Sequence, residues 1–267
     1  MTEPSDTLPF QTIRFSLDKG LATIELMRPE VRNAFNPTMI KEIRRAAKLA
    51  AADRYCRLLV IRGNEKFFCS GADLNWMSET GLMDETANRK ASESIASLYQ
   101  SIQQIDLPVL TIASGAVFGG ALGFLSTSDW VLATPDARFC FSEVKLGIVP
   151  AIIMPHVMRR MNRTLAMQKM MTGEVFDAAE GIRTGLVDRI VKFDQMEQEI
   201  GKLMSLLNEA SPMAVREVKQ LEKRISGKTP KKSRSIAIDT LSELKGSPEG
   251  KYGMKAFLKK EKPDWSL

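Results

Sequence analysis

Short apolar runs dominate the first two thirds of the chain, and longer stretches of helical periodicity dominate the last third. Thr12–Ser16 and Leu21–Met27 read as two strands joined by Asp18-Lys19-Gly20, a hairpin signal, and Arg28-Pro29 ends the second. Pro37 stands where a first helical turn begins, and Met39 to Ala51 then carry apolar residues at helical spacing. Arg57 to Arg62 predicts a strand closed by Gly63-Asn64. Phe67 to Ala72 predicts a further extended run, with a short helix from Asp73 onward. Residues 78 to 104 predict a lid-like loop and then a long helix that stops before Pro108. A strand over Val109–Ala113, a helix over 120–128, a strand over Trp130–Ala133 and a turn at Pro135-Asp136 follow. Another strand and a loop cover Arg138 to Pro150. From Pro155 onward the pattern is helical, apart from Leu186–Lys192. Strand-strand-helix order repeated in this way predicts an α/β fold with a helical C-terminal region and a soft boundary near 195–210.

A length of 267 residues suggests one large domain, or one domain and a small appendage, and a 44% hydrophobic fraction is ample for a core. No apolar run approaches the roughly 18 residues that span a bilayer, so no membrane is expected as a partner. The opening residues, MTEPSDTLPF, lack the basic start and apolar centre of a secretory leader. Cys56, Cys69 and Cys140 are odd in number, far apart and without metal-ligand spacing. They fit a reduced, cytoplasmic chain. With His156 as the only histidine, neither a Ser-His-Asp triad nor a histidine-based metal site is expected. The net charge of +6 lies partly in Lys228–Arg234 and Lys255–Lys262. Such runs read as solvated faces, or as attraction for an anionic, nucleotide-bearing group. No nucleic-acid motif with interleaved aromatics accompanies them, and nucleic acid is not expected as a partner.

Candidate chemistry concentrates in Ala113-Ser-Gly-Ala-Val-Phe-Gly-Gly-Ala-Leu-Gly123. A strand leads into four glycines within nine residues, and a helix-compatible segment follows. Glycines so placed let backbone approach a ligand and leave N–H groups pointing at it, an arrangement suited to negative charge developing on a carbonyl oxygen. Close packing of strand against helix is the alternative reading of this segment alone. The spacing differs from the phosphate-cradling and dinucleotide patterns.

Phe67-Phe-Cys-Ser-Gly-Ala-Asp-Leu74 and Gly115 to Asp129 resemble the enoyl-CoA hydratase/isomerase (crotonase) superfamily. Arg28-Pro29 with Arg32-Asn33-Ala34, Ser142 to Pro150, Thr172-Gly173 with Ala178-Ala179, Gly185 to Asp188, and Glu249-Gly250 with Ala256-Phe-Leu258 extend the match in order along the chain. The resemblance implies a crotonase-like spiral of ββα units, with residues 1–200 as the core that holds the active site. Residues 201–267 would be a helical trimerisation region, in a homotrimer or a dimer of trimers. The implied ligand is an acyl-CoA thioester, with coenzyme A as part of the substrate and no metal, nicotinamide or flavin. The family's two oxyanion donors fall on the backbone N–H groups of Ala72 and Gly120. Arg32, Asn33, Ala34, Ser70, Ala72, Asp73, Leu74 and Gly119 fall in coenzyme A- and substrate-binding segments. Phe257 and Lys260 match a helix that closes over coenzyme A, sometimes from a neighbouring subunit.

The two-glutamate hydratases of this family carry one Glu three positions after the middle glycine and another in a P-E-x-x-L-G motif. Glu143 is present at the second, and Gly123 stands at the first. Glu143 precedes an apolar run, surroundings that could raise a carboxyl pKa toward a working general acid/base. By itself the position also reads as a surface Glu paired with Lys145, and the motif context favours the first. One glutamate leaves two reactions open: hydration, with a water placed by backbone or Ser126, and Δ3-Δ2 double-bond isomerisation. A non-catalytic CoA- or RNA-binding role is the third reading. Gly71 to Met77, Phe118 to Phe124 and Phe139 to Gly147 resemble the bacterial methylglutaconyl-CoA hydratases of leucine degradation. The second carboxylate of that substrate would require a cationic or hydrogen-bonding partner, for which Lys145 and His156 are candidates. His156 otherwise reads as a packed core residue, Trp76 as a border of the acyl pocket, and the Met and Phe residues of 154–176 as core or pocket lining.

Overall fold

The computed structural model describes residues Phe10 to Trp265. Two sheets organise the chain. The larger runs β1 (Ile13–Asp18), β2 (Leu21–Leu26), β3 (Leu58–Arg62), β5 (Val109–Ala113), β7 (Trp130–Ala133) and β10 (Arg189–Ile190), in that spatial order. The smaller joins β4 (Phe67–Cys69), β6 (Ala116–Phe118), β8 (Arg138–Cys140) and β9 (Phe176–Asp177). β1 and β2 form an antiparallel hairpin, and from β2 to β10 every pairing of the large sheet is parallel. Successive strand pairs therefore divide alike. β3, β5 and β7 enter the large sheet, and their followers β4, β6 and β8 enter the small one. This is the expected spiral of ββα units.

Continuous apolar runs in the middle strands follow from burial on both faces. Leu59, Ile61, Val109, Ala113 and Val131 face one core, under α1 (Pro37–Ala52), α3 (Glu85–Gln104) and α4 (Leu122–Thr127). Leu58, Val60, Leu110, Ile112 and Leu132 face the other, covered by Met196, Ile200 and Leu207 of α8 (Met196–Asn208) and Val215 of α9 (Pro212–Ile225). The domain boundary expected after residue 200 falls inside α8. α10 (Pro230–Gly246) and α11 (Pro248–Leu258) complete the helical C-terminal region.

Three local expectations change. The lid-like loop is helical: α2 (Leu74–Gly81) runs almost into α3, with only residues 82–84 between them, because Asp84 caps α3 by accepting from the Ala87 N–H at 2.8 Å. The glycine-rich run contains β6, three residues paired to β4 on one side and β8 on the other. The stretch after Pro155 is broken by β9, after which Asp177 caps α7 (Ala178–Thr184). α5 (Met154–Arg160) and α6 (Arg163–Thr172) precede it.

Candidate active site

The loop after β4 reaches the site through a short backbone pairing. Phe35 donates its N–H to the Gly71 carbonyl at 2.8 Å, and Asp73 donates to the Phe35 carbonyl at 2.9 Å. Peptide groups alternate in extended backbone, so the Ala72 N–H points the opposite way. Gly71 has φ +100, and a Cβ there would stand 2.8 Å from the Phe118 carbonyl and 3.5 Å from the Gly120 nitrogen. The two loops abut at that point. Across the contact, Gly119 at φ +53 turns the chain from β6 toward α4. Neither the Ala72 nor the Gly120 N–H donates to a backbone acceptor among the described residues. The two donors proposed from sequence therefore stand side by side and unspent.

Both line one cavity of about 610 Å³, and Glu143 lines it with them. Glu143 sits in a single helical turn, Ser142–Leu146, directly after β8, so the small sheet fixes its height beside Gly119. Its Oε1 lies 3.5 Å from where a Cβ of Gly119 would be. Its Oε2 is buried and has no hydrogen-bond partner among the described residues. Burial pushes the carboxyl above its ordinary value, and the local backbone bond to its own amide only partly offsets this. An unpartnered buried carboxyl oxygen is costly in a folded chain, which makes Glu143 a candidate functional group.

Gly123 is not a mere truncation of the missing first glutamate. A Cβ there would run into the Tyr99 ring (Cε1, with Cζ at 2.5 Å) and stand 2.7 Å from Ile153 Cγ2. No side chain fits. Ser126, offered as a water-placing group, lies on the far side of α4 with Asp129 and Trp130, lining a different cavity.

The remaining expected residues divide into three groups. Ser70 and Leu74 line the cavity with Gly119. Asn33, Ala34 and Asp73 build the loop instead. The buried Asn33 amide donates to the Phe68 carbonyl at 3.0 Å and accepts from the Arg28 N–H at 2.9 Å. Arg28 bonds the Ala34 carbonyl at 2.6 Å and Asp73 Oδ2 at 3.0 Å. Arg32 is exposed beside them, in left-handed backbone. Phe257, 81% exposed, and Lys260 lie at the end of α11, outside the lining of this chain's cavity. Lys145 and His156 are outside it too. His156 packs against the Tyr99 ring with centroids 6.2 Å apart, and its pKa is lowered by burial and by Arg159.

Trp76 lines the cavity as expected, whereas Met161, Met170 and Phe176 belong to the core. Ala91, Ser92 and Ile95 of α3 and Ile152 and Ile153 were not anticipated. The only signal for the first three is the i, i+4 and i, i+3 spacing of Ala91 and Ser92 to Ile95, and the i, i+4 spacing of Ile95 to Tyr99, along one face of α3.

The family model described as enoyl-CoA hydratase/isomerase matches residues 16–267. The chain belongs to this family. A crystal structure of an enoyl-CoA hydratase from Shewanella pealeana superposes with a TM-score of 0.90 at 32% identity, covering 96% of each chain. A 2,3-dehydroadipyl-CoA hydratase of Escherichia coli is 28% identical over 94% of this chain and 96% of its own length. A trans-2-decenoyl-[acyl-carrier-protein] isomerase of Streptococcus mutans is 26% identical over 97% and 99%. Among the described residues of this enoyl-CoA hydratase/isomerase family member, no helix is long and apolar enough to cross a membrane.

Proposed function

We propose that the chain hydrates 2-enoyl-CoA thioesters with Glu143 as its single acid/base. The observation that carries this reading is the unpartnered, buried Glu143 Oε2 in one cavity with two unspent backbone amides. The thioester oxygen accepts from the Ala72 and Gly120 N–H groups. The Glu143 carboxylate takes a proton from a water as the water oxygen bonds to the β-carbon, and the π electrons pass to the carbonyl as an enolate. The enolate collapses as Glu143 returns the proton to the α-carbon. One such amide donor supplies about 3–4 kcal/mol of transition-state stabilisation in comparable sites. Coenzyme A enters only as part of the substrate.

The acyl end is framed by Trp76, Ile95, Ile152 and Ile153, and Glu143 is the only charged side chain in the described lining. That supports an uncharged acyl chain ahead of 3-methylglutaconyl-CoA in leucine degradation, whose second carboxylate finds no cation there. Δ3-Δ2 isomerisation is the second reading. It needs one carboxylate to shuttle a proton, and position 123 has no room for another. A homotrimer or dimer of trimers forms part of the proposal, supported by Ile238, Leu241, Phe257 and Leu258 exposed on α10 and α11. A cytoplasmic location also belongs to it, supported by three free, buried cysteines.

The test follows absorbance at the enoyl thioester band with crotonyl-CoA, 2-octenoyl-CoA, 3-methylglutaconyl-CoA and a 3-enoyl-CoA. Hydration predicts loss of absorbance with the uncharged 2-enoyl substrates, reduced about 10²–10⁴-fold by Glu143→Gln. A rise with the 3-enoyl substrate and no loss with any 2-enoyl would establish isomerisation instead. Activity unchanged by Glu143→Gln would remove both.

A further inference from the structure

We propose that Tyr99 is the positioning residue of the oxyanion cradle, its ring filling the volume left at position 123 and its hydroxyl holding Gly120. This rests on reading the Ala72 and Gly120 amides as the oxyanion donors. A glycine carries no Cβ to restrict its backbone, so the direction of the Gly120 N–H must be imposed from outside. An amide helps a developing charge only if it is already aimed. The Tyr99 hydroxyl donates to the Gly120 carbonyl at 2.5 Å. A Cβ on Gly120 would stand 3.1 Å from that hydroxyl and 2.9 Å from Phe35 Cζ, so the residue is clamped between two rings.

Those rings are themselves locked. Tyr99 is fully buried and meets Phe124 edge-on at 5.7 Å and Phe35 at 6.5 Å. Gly123 lies under the Tyr99 ring with no space to spare. The ring from α3 therefore occupies the space that any side chain at position 123 would need. Burial drives the phenol pKa well above 10, which keeps the hydroxyl a donor throughout the working range. Ser92 and Ile95, on the same face of α3, line the cavity, so the helix that supports the acyl chain also holds the cradle.

The experiment compares binding of acetoacetyl-CoA, which can place enolate charge on the thioester oxygen, with binding of saturated butyryl-CoA. Wild type is measured beside Tyr99→Phe, which keeps the ring and deletes the bond. The variant is expected to bind acetoacetyl-CoA about five- to tenfold more weakly and butyryl-CoA within about twofold. In turnover, kcat should fall about as much while KM holds within about twofold. Equal losses for both ligands, or a lowered melting temperature with unchanged kcat, would make Tyr99 a packing residue and overturn the proposal. If Tyr99→Phe does not fold, Phe35→Leu replaces it, since it loosens the second ring against Gly120 while leaving the phenol. The same split is then expected, and its absence is equally decisive. Wild type that binds neither thioester would retract the site itself, and this proposal with it.

Discussion

Glu143 carries two linked consequences at the scale of one residue. To act as the base of the proposed hydration it must be ionised, and burial raises its pKa. The kcat/KM for hydration should therefore fall as pH drops through a value above the ordinary carboxylate range, as read from a pH–rate profile. A break at or below the ordinary value would contradict the burial seen here. The stability effect has the opposite sign. A carboxyl whose folded pKa is raised binds more protons folded than unfolded, so stability declines as pH rises from the ordinary pKa through the raised one. Glu143→Gln should accordingly raise the melting temperature at pH 7, with the gain disappearing under acid conditions. Gain of stability with loss of activity is the signature of a group held for chemistry. Glu143 was legible in the sequence from its motif. Tyr99 was not, because its contact with Gly120 spans 21 positions and no local pattern encodes it.

The loop from Ser70 to Leu74 shows how elements convert sequence motifs into a site. Asp73 caps α2 by accepting from the Asn75 N–H at 3.0 Å, and its other oxygen pairs with Arg28, itself largely buried. Asp73, expected as a ligand contact, thus fixes the loop that aims Ala72. Asp73→Ala should cost about 2–3 kcal/mol in urea unfolding, combining a lost cap with a lost charge-assisted bond. Asp73→Asn keeps a capping oxygen and should cost less. Equal costs would show that the cap contributes nothing. Periodicity found α1, α3 and the large-sheet strands because their apolar faces repeat over several turns or are buried on both sides. It missed β6 and β9, of three and two residues, which exist only through their partners.

At the scale of the whole molecule, Arg216 joins the C-terminal helices to the spiral, with Lys219 and Lys223 of the same helix bonding the Leu107 and Ile105 carbonyls beside it. Arg216 of α9 bonds both oxygens of Asp106 at 3.1 and 3.2 Å, together with the carbonyls of Ala51, Asp53 and Cys56. It is one of 38 Lys and Arg residues, and nothing in its immediate sequence sets it apart. Arg216→Met should destabilise the chain by about 2 kcal/mol, since hydrogen bonds to three carbonyls are lost together with an ion pair whose Asp106 side is 35% exposed. Guanidinium unfolding followed by far-UV dichroism measures this. A loss under about 1 kcal/mol would mean that the apolar contacts of α8 and α9 suffice.

The sequence by itself determined the repeated ββα order, the family, the position of Glu143 and the two glycine-bounded amides. Each is written in neighbouring residues whose spacing is the signal. Only the tertiary structure decided that the amides stand unspent beside the carboxyl, that position 123 is closed by a ring from α3, and that Ser126, Lys145 and His156 lie outside the cavity. Those outcomes depend on where separate elements meet. Side-chain volume and the alignment of hydrogen bonds across long chain separations settle that meeting, and neither is a property of any short stretch of chain.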